Sequence, residues 1–302
     1  MKTLIFLIVL ILPNWSFSQQ IADSTYNPII INPEYNLGKG SVVFIDEGHH
    51  NFHTKNGRYK PFSNLLERDG YNVVAYKGVF KKNELSKGKI LVISNALNEI
   101  NVEDWFLPTP SAFTKSEIED VKKWVYNGGN LFLIADHMPM AGAAENLAAK
   151  FGFLFTNGFV FDSLTNGKIY FNTKKGTLIE STITKGKDSG ECVKQIVSFT
   201  GQGFKIPDDA ISILKFDENY HCLLPDTAWV FNEETKKIDV KGWSQVAYKK
   251  FGKGRVVVSG EAAMFTAQLA GPEKRKMGMN SEDAKENFQL LLNIIHWLDG
   301  KL

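Results

Sequence analysis

Three of the six histidines, His49, His50 and His53, follow Asp46 and Glu47 within one short stretch, and a second acidic–imidazole pair stands at Asp136-His137. Asp46, His49, His50, His53, Asp136 and His137 are ligand types used by zinc or another divalent metal: two or three imidazoles plus a carboxylate, with one position left for water. A metal held in that way lowers the pKa of its bound water to about 7 and makes hydroxide available for hydrolysis. Glu47, Glu145 or Glu261 would then serve as general base. Asn51 and Asn95 suit polar contacts with a hydroxylated ligand. The bland alternative is that the histidines only hydrogen-bond carboxylates, with an Asp46–His137 or an Asp136–His49 pair stiffening the structure. His49 and His53 have i,i+4 spacing, but position 50 is His where a His-Glu-x-x-His helix needs Glu, and Asn51 and Gly57 point to a loop. His221 and His296 are read as structural, the latter in a last helical turn where a cation suits the dipole.

The elements that must position these groups are strands. Val42 to Ile45 runs into Asp46, and Leu131 to Ala135 runs into Asp136, so two apolar strands open onto ligand-type side chains. Lys60 to Arg68 reads as a short helix with Phe62, Leu65 and Leu66 on one face and Gly70 past its end. Asn72 to Ala75 and Lys89 to Ile93 are strands, the second ending at Ser94-Asn95. Thr114-Lys115-Ser116-Glu117 is a capping box that opens a helix with Ile118, Val121, Trp124 and Val125 as its apolar stripe, stopped by Gly128-Gly129. Ala141 to Phe151 predicts a helix directly over the second strand end, whose first N–H groups suit a carboxylate, phosphate or sugar hydroxyl. The alternation predicts an α/β protein: a mostly parallel sheet with helices on both faces.

From about 158 to 230, short β-like runs at Lys168 to Phe171, Gln195 to Phe199 and Ala210 to Phe216 predict an inserted β-rich segment. The parallel pattern returns with Gln245 to Tyr248, Gly252-Lys253-Gly254 as a hairpin turn, and Arg255 to Ser259 ending in Gly260-Glu261. Lys274 to Ser281 reads as a mobile loop, and a closing helix spans about Glu282 to Leu298.

Lys2, the apolar run Leu4 to Leu12 and Ser16-Phe17-Ser18 form an export signal over 1–18, followed by an extended lead-in over 19–40 and the α/β domain over 41–302. That apolar run is shorter than the ~20 residues a bilayer span takes. The expected product is exported, periplasmic or extracellular, with no stable membrane insertion after cleavage. A formal charge of +2 argues against nucleic acid as a partner. Cys192 and Cys222 fit either one disulfide or two free thiols. No nucleotide cofactor is expected, since Gly38-Lys39-Gly40 precedes its strand and no phosphate loop occurs. There is no Gly-x-Ser-x-Gly elbow. Trp105, Phe106, Trp229 and Trp243 suit stacking on sugar faces where exposed and the apolar core otherwise.

The strand ending in Asp46-Glu47-Gly48-His49, the strand Ile90 to Ile93 with Ser94-Asn95, the unit Phe113 to Asp136 around Val125-Tyr126-Asn127-Gly128-Gly129-Asn130, and the strand Val256 to Ser259 with Gly260-Glu261 together resemble the class I glutamine amidotransferase-like superfamily. Ile183-Thr184-Lys185-Gly186 and Ser198-Phe199-Thr200-Gly201 are similar to stretches of its divergent branch, that of trehalose-utilisation-type proteins and of gliding-motility and intraflagellar-transport domains. The resemblance implies an amidotransferase-like, flavodoxin-like fold. Its chemistry does not carry over. The family's cysteine nucleophile would fall at Asp136-His137-Met138, and its His-x-Glu at Ser259-Gly260-Glu261, where the glutamate is present and the histidine is not. Two functions are therefore expected: a metal-assisted or Asp/His/Glu hydrolase acting on a small polar or carbohydrate-like substrate, or a non-catalytic ligand-binding or assembly domain that keeps the fold.

Overall fold

The computed structural model describes residues 20–163 and 167–302; the export signal expected over 1–18 lies outside them. Its centre is a nine-stranded sheet. The parallel part consists of β1 (Val42–Asp46), β2 (Asn72–Tyr76), β3 (Ile90–Ser94), β4 (Asn130–Ile134) and β6 (Gly254–Ser259), in the order β2-β1-β3-β4-β6. All five strands therefore deliver their carboxyl ends to one edge, which is where open α/β sheets hold ligands.

The strands are apolar almost throughout because both faces are covered. On one face Val43, Ile45, Ile90, Val92, Phe132 and Ile134 meet Phe62, Leu65 and Leu66 of α1 (Lys60–Arg68). The same face meets Leu291, Ile294 and Ile295 of α4 (Asn287–Asp299). On the other, Phe44, Leu91, Ile93, Leu131 and Leu133 meet Ile118, Val121 and Val125 of α2 (Lys115–Tyr126) and Ala144 and Leu147 of α3 (Met140–Ala149). Side chains alternate with period two along each strand, so one apolar run feeds two cores.

The hairpin turn expected at Gly252-Lys253-Gly254 is present: β5 (Ser244–Phe251) runs antiparallel to β6, because so tight a turn leaves no room for a crossover. Several local expectations need correction. Lys274 to Ser281 is not a free loop. Arg275–Gly278 pairs with Ala267–Ala270, which in turn pairs with Gln20–Ala22 of the lead-in. Its charged side chains stay in water while Met279 is buried, so composition hid the strand. α4 starts at Asn287, later than the apolar pattern suggests. The β-rich region partly widens the main sheet: Ile211–Lys215 and Phe204–Lys205 both pair with β5. The rest forms two small antiparallel sheets, one of Phe159–Asp162, Tyr220–Leu224 and Lys236–Asp239, the other of Ile169–Asn172 and Gln195–Ser198. Cys192 and Cys222 are both free thiols, and burial pushes Cys222 up to about 12. No helix of the described residues is long and apolar enough to cross a membrane.

Buried amides fasten this added structure to the sheet. Asn287 donates to the Val197 and Met264 carbonyls at 2.7 and 3.1 Å and accepts the Val197 N–H at 3.1 Å. Asn287→Ala would orphan those backbone groups, and we expect urea unfolding to show a loss of about 2–4 kcal/mol. A loss below about 1 kcal/mol would mean that water replaces the amide.

Candidate functional site

The candidate residues gather at the carboxyl edge of the parallel strands. β1 ends in Asp46, whose carboxylate accepts the Gly48 N–H at 3.1 Å and the Asn51 side-chain amide at 2.9 Å. The same carboxylate meets His49 Nδ1 at 2.9 and 3.0 Å. The far ring nitrogen, Nε2, lies 2.9 Å from Glu117 Oε1. Glu117 is the third residue of α2 and completes the capping box with Thr114, so one carboxylate both starts the helix and holds the imidazole. It also accepts the Phe80 N–H at 3.0 Å. His49 is 6 % exposed, between the rings of Phe80 and Phe113.

A ring with a carboxylate on each nitrogen must donate from both. Burial alone would lower the His49 pKa, but the hydrogen bonds and charges of Asp46 and Glu117 outweigh it and raise the value above 6.5. Burial alone would raise Glu117, and the bonds from His49, Thr114 and Phe80 hold it below 4.5 instead. Asp46, His49 and Glu117 thus form a charged relay through the edge of the core.

The second histidine position behaves differently. His53 is buried on the α1 side, against Tyr59, with Nδ1 3.2 Å from Ser94 Oγ; burial first, then the Arg58 charge, pushes it down to about 3, so it is neutral. His50 is exposed, with φ of 47°. Asn51 bonds Asp46 and offers its Oδ1 to the His49 N–H at 3.0 Å, and Asn95 Oδ1 accepts the Asp136 N–H at 2.9 Å. Both asparagines knit adjacent strand ends together. The two stretches expected to converge therefore share one edge, bridged by Ser94 and Asn95 of the strand between them.

His137 turns away from His49. Its Nδ1 donates to the Met138 carbonyl at 2.7 Å, and the ring stacks on Phe159 at 4.1 Å and meets Trp229 edge-on at 4.8 Å. Neither an Asp46–His137 nor an Asp136–His49 pair forms; Asp46 and Glu117 take His49, and Asp136 accepts the His137 backbone N–H. Trp105 lies 6.1 Å from His137 and 5.7 Å from Phe52. The segments carrying Trp105 and Trp229 are clipped together by Ala228 N–H to Trp105 O and Leu107 N–H to Asp226 O. Trp229, 51 % exposed, and Phe106, 47 % exposed, leave this row of rings open to water. Trp243 sits elsewhere, beside Phe216 and under Lys205.

Of the candidate bases, Glu261 follows β6 and is buried. It accepts the Ala263 and Met264 N–H groups at 2.9 and 2.7 Å. Burial first, then the Asp136 charge, raises its pKa well above the ordinary carboxylate value, so it favours the protonated form. Glu47 accepts the Lys55 N–H at 2.8 Å and belongs to the loop after β1. Glu145 lies on the solvent face of α3, because the apolar stripe of that helix points the other way. The Gly142 N–H near the start of α3 is taken by Asn157 Oδ1 at 2.8 Å. His296 pairs with Asp69 at 2.6 Å and His221 with Ser163 at 3.0 Å.

The donor set does not fit a metal as arranged. Both His49 nitrogens face carboxylates, His53 and His137 are turned to different neighbours, and among the described residues no group of three or more His, Cys, Asp or Glu is gathered to hold an ion. Sequence reasoning used Glu117 only as a helix cap; its capping-box position was the one signal available. Tyr59 and Gln202 were missed. Gln202 bonds the Ala135 carbonyl at 2.9 Å and ties the end of β4 to the added region.

No protein-family model matches the chain, and no curated protein matches it. Among solved structures it is similar to the mmIFT52 N-terminal domain, with 14% identity over 85% of this chain and 97% of that one and a TM-score of 0.59. A cytoplasmic protein from Salmonella typhimurium LT2 aligns at 12% identity over 85% and 98%, TM-score 0.48. A thua-like protein from Bacteroides uniformis ATCC 8492 aligns at 11% over 90% and 94%, TM-score 0.46. The first likeness is one of fold alone.

The relay makes stability depend on pH in a defined sense. The contribution of His49 is complete below 6.5 and lost as pH rises through the raised folded value; that of Glu117 is present above 4.5 and lost as pH falls through its lowered one. We expect His49→Gln to cost about 3–5 kcal/mol near pH 6. Its stability difference from the unsubstituted protein should shrink toward alkaline pH in urea titrations. Parallel pH curves for the two proteins would contradict a charged relay.

Proposed function

We propose that this chain is an exported, amidotransferase-like domain without the cysteine nucleophile that binds a small polar or carbohydrate-like ligand across the carboxyl ends of β1, β3 and β4. The observation that carries this reading is how the edge divides its side chains. Asp46 and Glu117 are spent on His49, whereas Phe106 and Trp229 are exposed and Trp105 is half-buried. Aromatic faces beside amides and carboxylates suit sugars, whose C–H faces stack while their hydroxyls hydrogen-bond. The aspartate at the elbow supports loss of glutaminase chemistry, since a carboxylate there cannot replace a thiolate that forms a thioester. Export rests on Lys2, the Leu4 to Leu12 run and Ser16-Phe17-Ser18.

A second reading has its own support. Burial and the Asp136 charge raise the Glu261 pKa well above the ordinary carboxylate value, and an acid of raised pKa near a second carboxylate is a pairing that acid–base hydrolases use. Metal assistance would require His49 to leave both carboxylates, so this version works without one.

A glycan array followed by tryptophan-fluorescence titration separates the two. For a binding domain, Trp105→Ala and Trp229→Ala should each weaken binding by about tenfold while the unfolding midpoint holds. Turnover of amide, ester and glycoside panels should stay at background. Turnover abolished by Asp136→Asn would install the hydrolase instead.

A further inference from the structure

The loop after β1 folds back over the strand ends, fixed by the Phe52 N–H to the Asn95 carbonyl at 3.0 Å, and closes with Arg58 just ahead of α1. Arg58 differs from the other three arginines. Arg68 donates to the Pro28 carbonyl at 2.7 Å, Arg255 to the Trp297 carbonyl, and Arg275 to Glu273 at 2.7 Å. The Arg58 guanidinium lies 3.8 Å over the Phe52 ring and makes one long hydrogen bond, Nη1 to the Phe52 carbonyl at 3.4 Å. Its Nε is enclosed and has no partner. Among the described residues no carboxylate pairs with it, and burial alone draws its pKa down. Two acids of the same loop and of α1 are engaged by Lys55, Glu47 by its N–H at 2.8 Å and Glu67 by its ammonium at 2.9 Å.

A half-buried cation without a counter-charge costs stability. A guanidinium seated over an aromatic ring is poorly hydrated, and its terminal Nη groups suit a planar anion. The rings continue from Phe52 to Trp105 at 5.7 Å and on to His137 and Trp229, so a group anchored at Arg58 would lay its body along that row. We propose that Arg58 receives the carboxylate of the ligand, so that the site takes an acidic, uronic-acid-like sugar in preference to a neutral one. Glu103 and Asp104 beside Trp105 are solvent-exposed and screened, so they weaken this preference without reversing it. The proposal rests on the sugar-binding reading above and narrows it.

Titration of the intact chain with sodium D-glucuronate, D-glucose and sodium acetate, followed by tryptophan fluorescence and unfolding midpoint, tests it. Glucuronate should bind at least about tenfold more tightly than glucose, and acetate more weakly than glucuronate. Arg58→Met should erase the preference and, without ligand, raise the midpoint by about 2–4 °C, because an uncompensated charge is gone. Arg58→Lys, which keeps the charge and loses the fork, should keep part of the preference. A lowered midpoint in Arg58→Met with the preference intact would make Arg58 a packing residue and overturn the proposal. Equal binding of glucose and glucuronate would also overturn it while leaving sugar binding in place. Acetate binding as tightly as glucuronate would overturn the sugar part. No binding of either sugar, with Trp105→Ala equally silent, would remove both proposals.

Discussion

The imidazole of His49, bonded at both nitrogens to buried carboxylates, is the interaction on which the carboxyl edge of this protein depends. Asp46 closes β1, and Glu117 opens α2. A charged ring between them binds a strand end to a helix start across Phe80 and Phe113, where water cannot compete. Removing any one member leaves a charge uncompensated in a low-dielectric setting, so the three stand or fall together. Because His49 is spent in this way, the loop after β1 has a fixed course. Its course is what puts Phe52 and Arg58 over the strand ends.

The same edge carries a second buried acid. Glu261 accepts two backbone N–H groups after β6 and lies in the field of Asp136 after β4. Those donors favour the ionised form, yet burial and the neighbouring carboxylate win. The sheet edge thus holds one histidine biased toward charge and one glutamic acid biased toward neutrality, a few strands apart. Between them, Ser94, Asn95 and Gln202 consume the polar capacity of the turns. Phe106 and Trp229 remain exposed there, and among the described residues no carboxylate pairs with Arg58.

The likeness to the mmIFT52 N-terminal domain concerns architecture. A parallel sheet with its strand ends gathered at one edge accommodates many chemistries, and the side chains there decide among them. In this chain the turn after β4 presents Asp136 and His137 at that edge. His137 is drawn into the aromatic row by Phe159, a residue of the added β region. That added region therefore shapes the edge as much as the parallel strands do.

The sequence by itself determined the parallel strands and their covering helices, because apolar period and capping chemistry are local signals. Whether positions 46–53 and Asp136-His137 share an edge depends on strand order, which the fold decides. The sequence also determined the Thr114-Glu117 box, visible as four letters. It could not determine that Glu117 reaches His49, since that contact joins residues 68 positions apart and arises only when α2 packs on the sheet. For the same reason it left His49 and His137 as partners in one metal set, when packing turns their rings to different neighbours. It read Lys274 to Ser281 as a loop because charges on a strand's wet face look like charges on a loop. Tertiary structure alone decided which polar groups are satisfied and which are not. Satisfaction is a property of three-dimensional neighbours, and a linear pattern carries only the groups, not their partners.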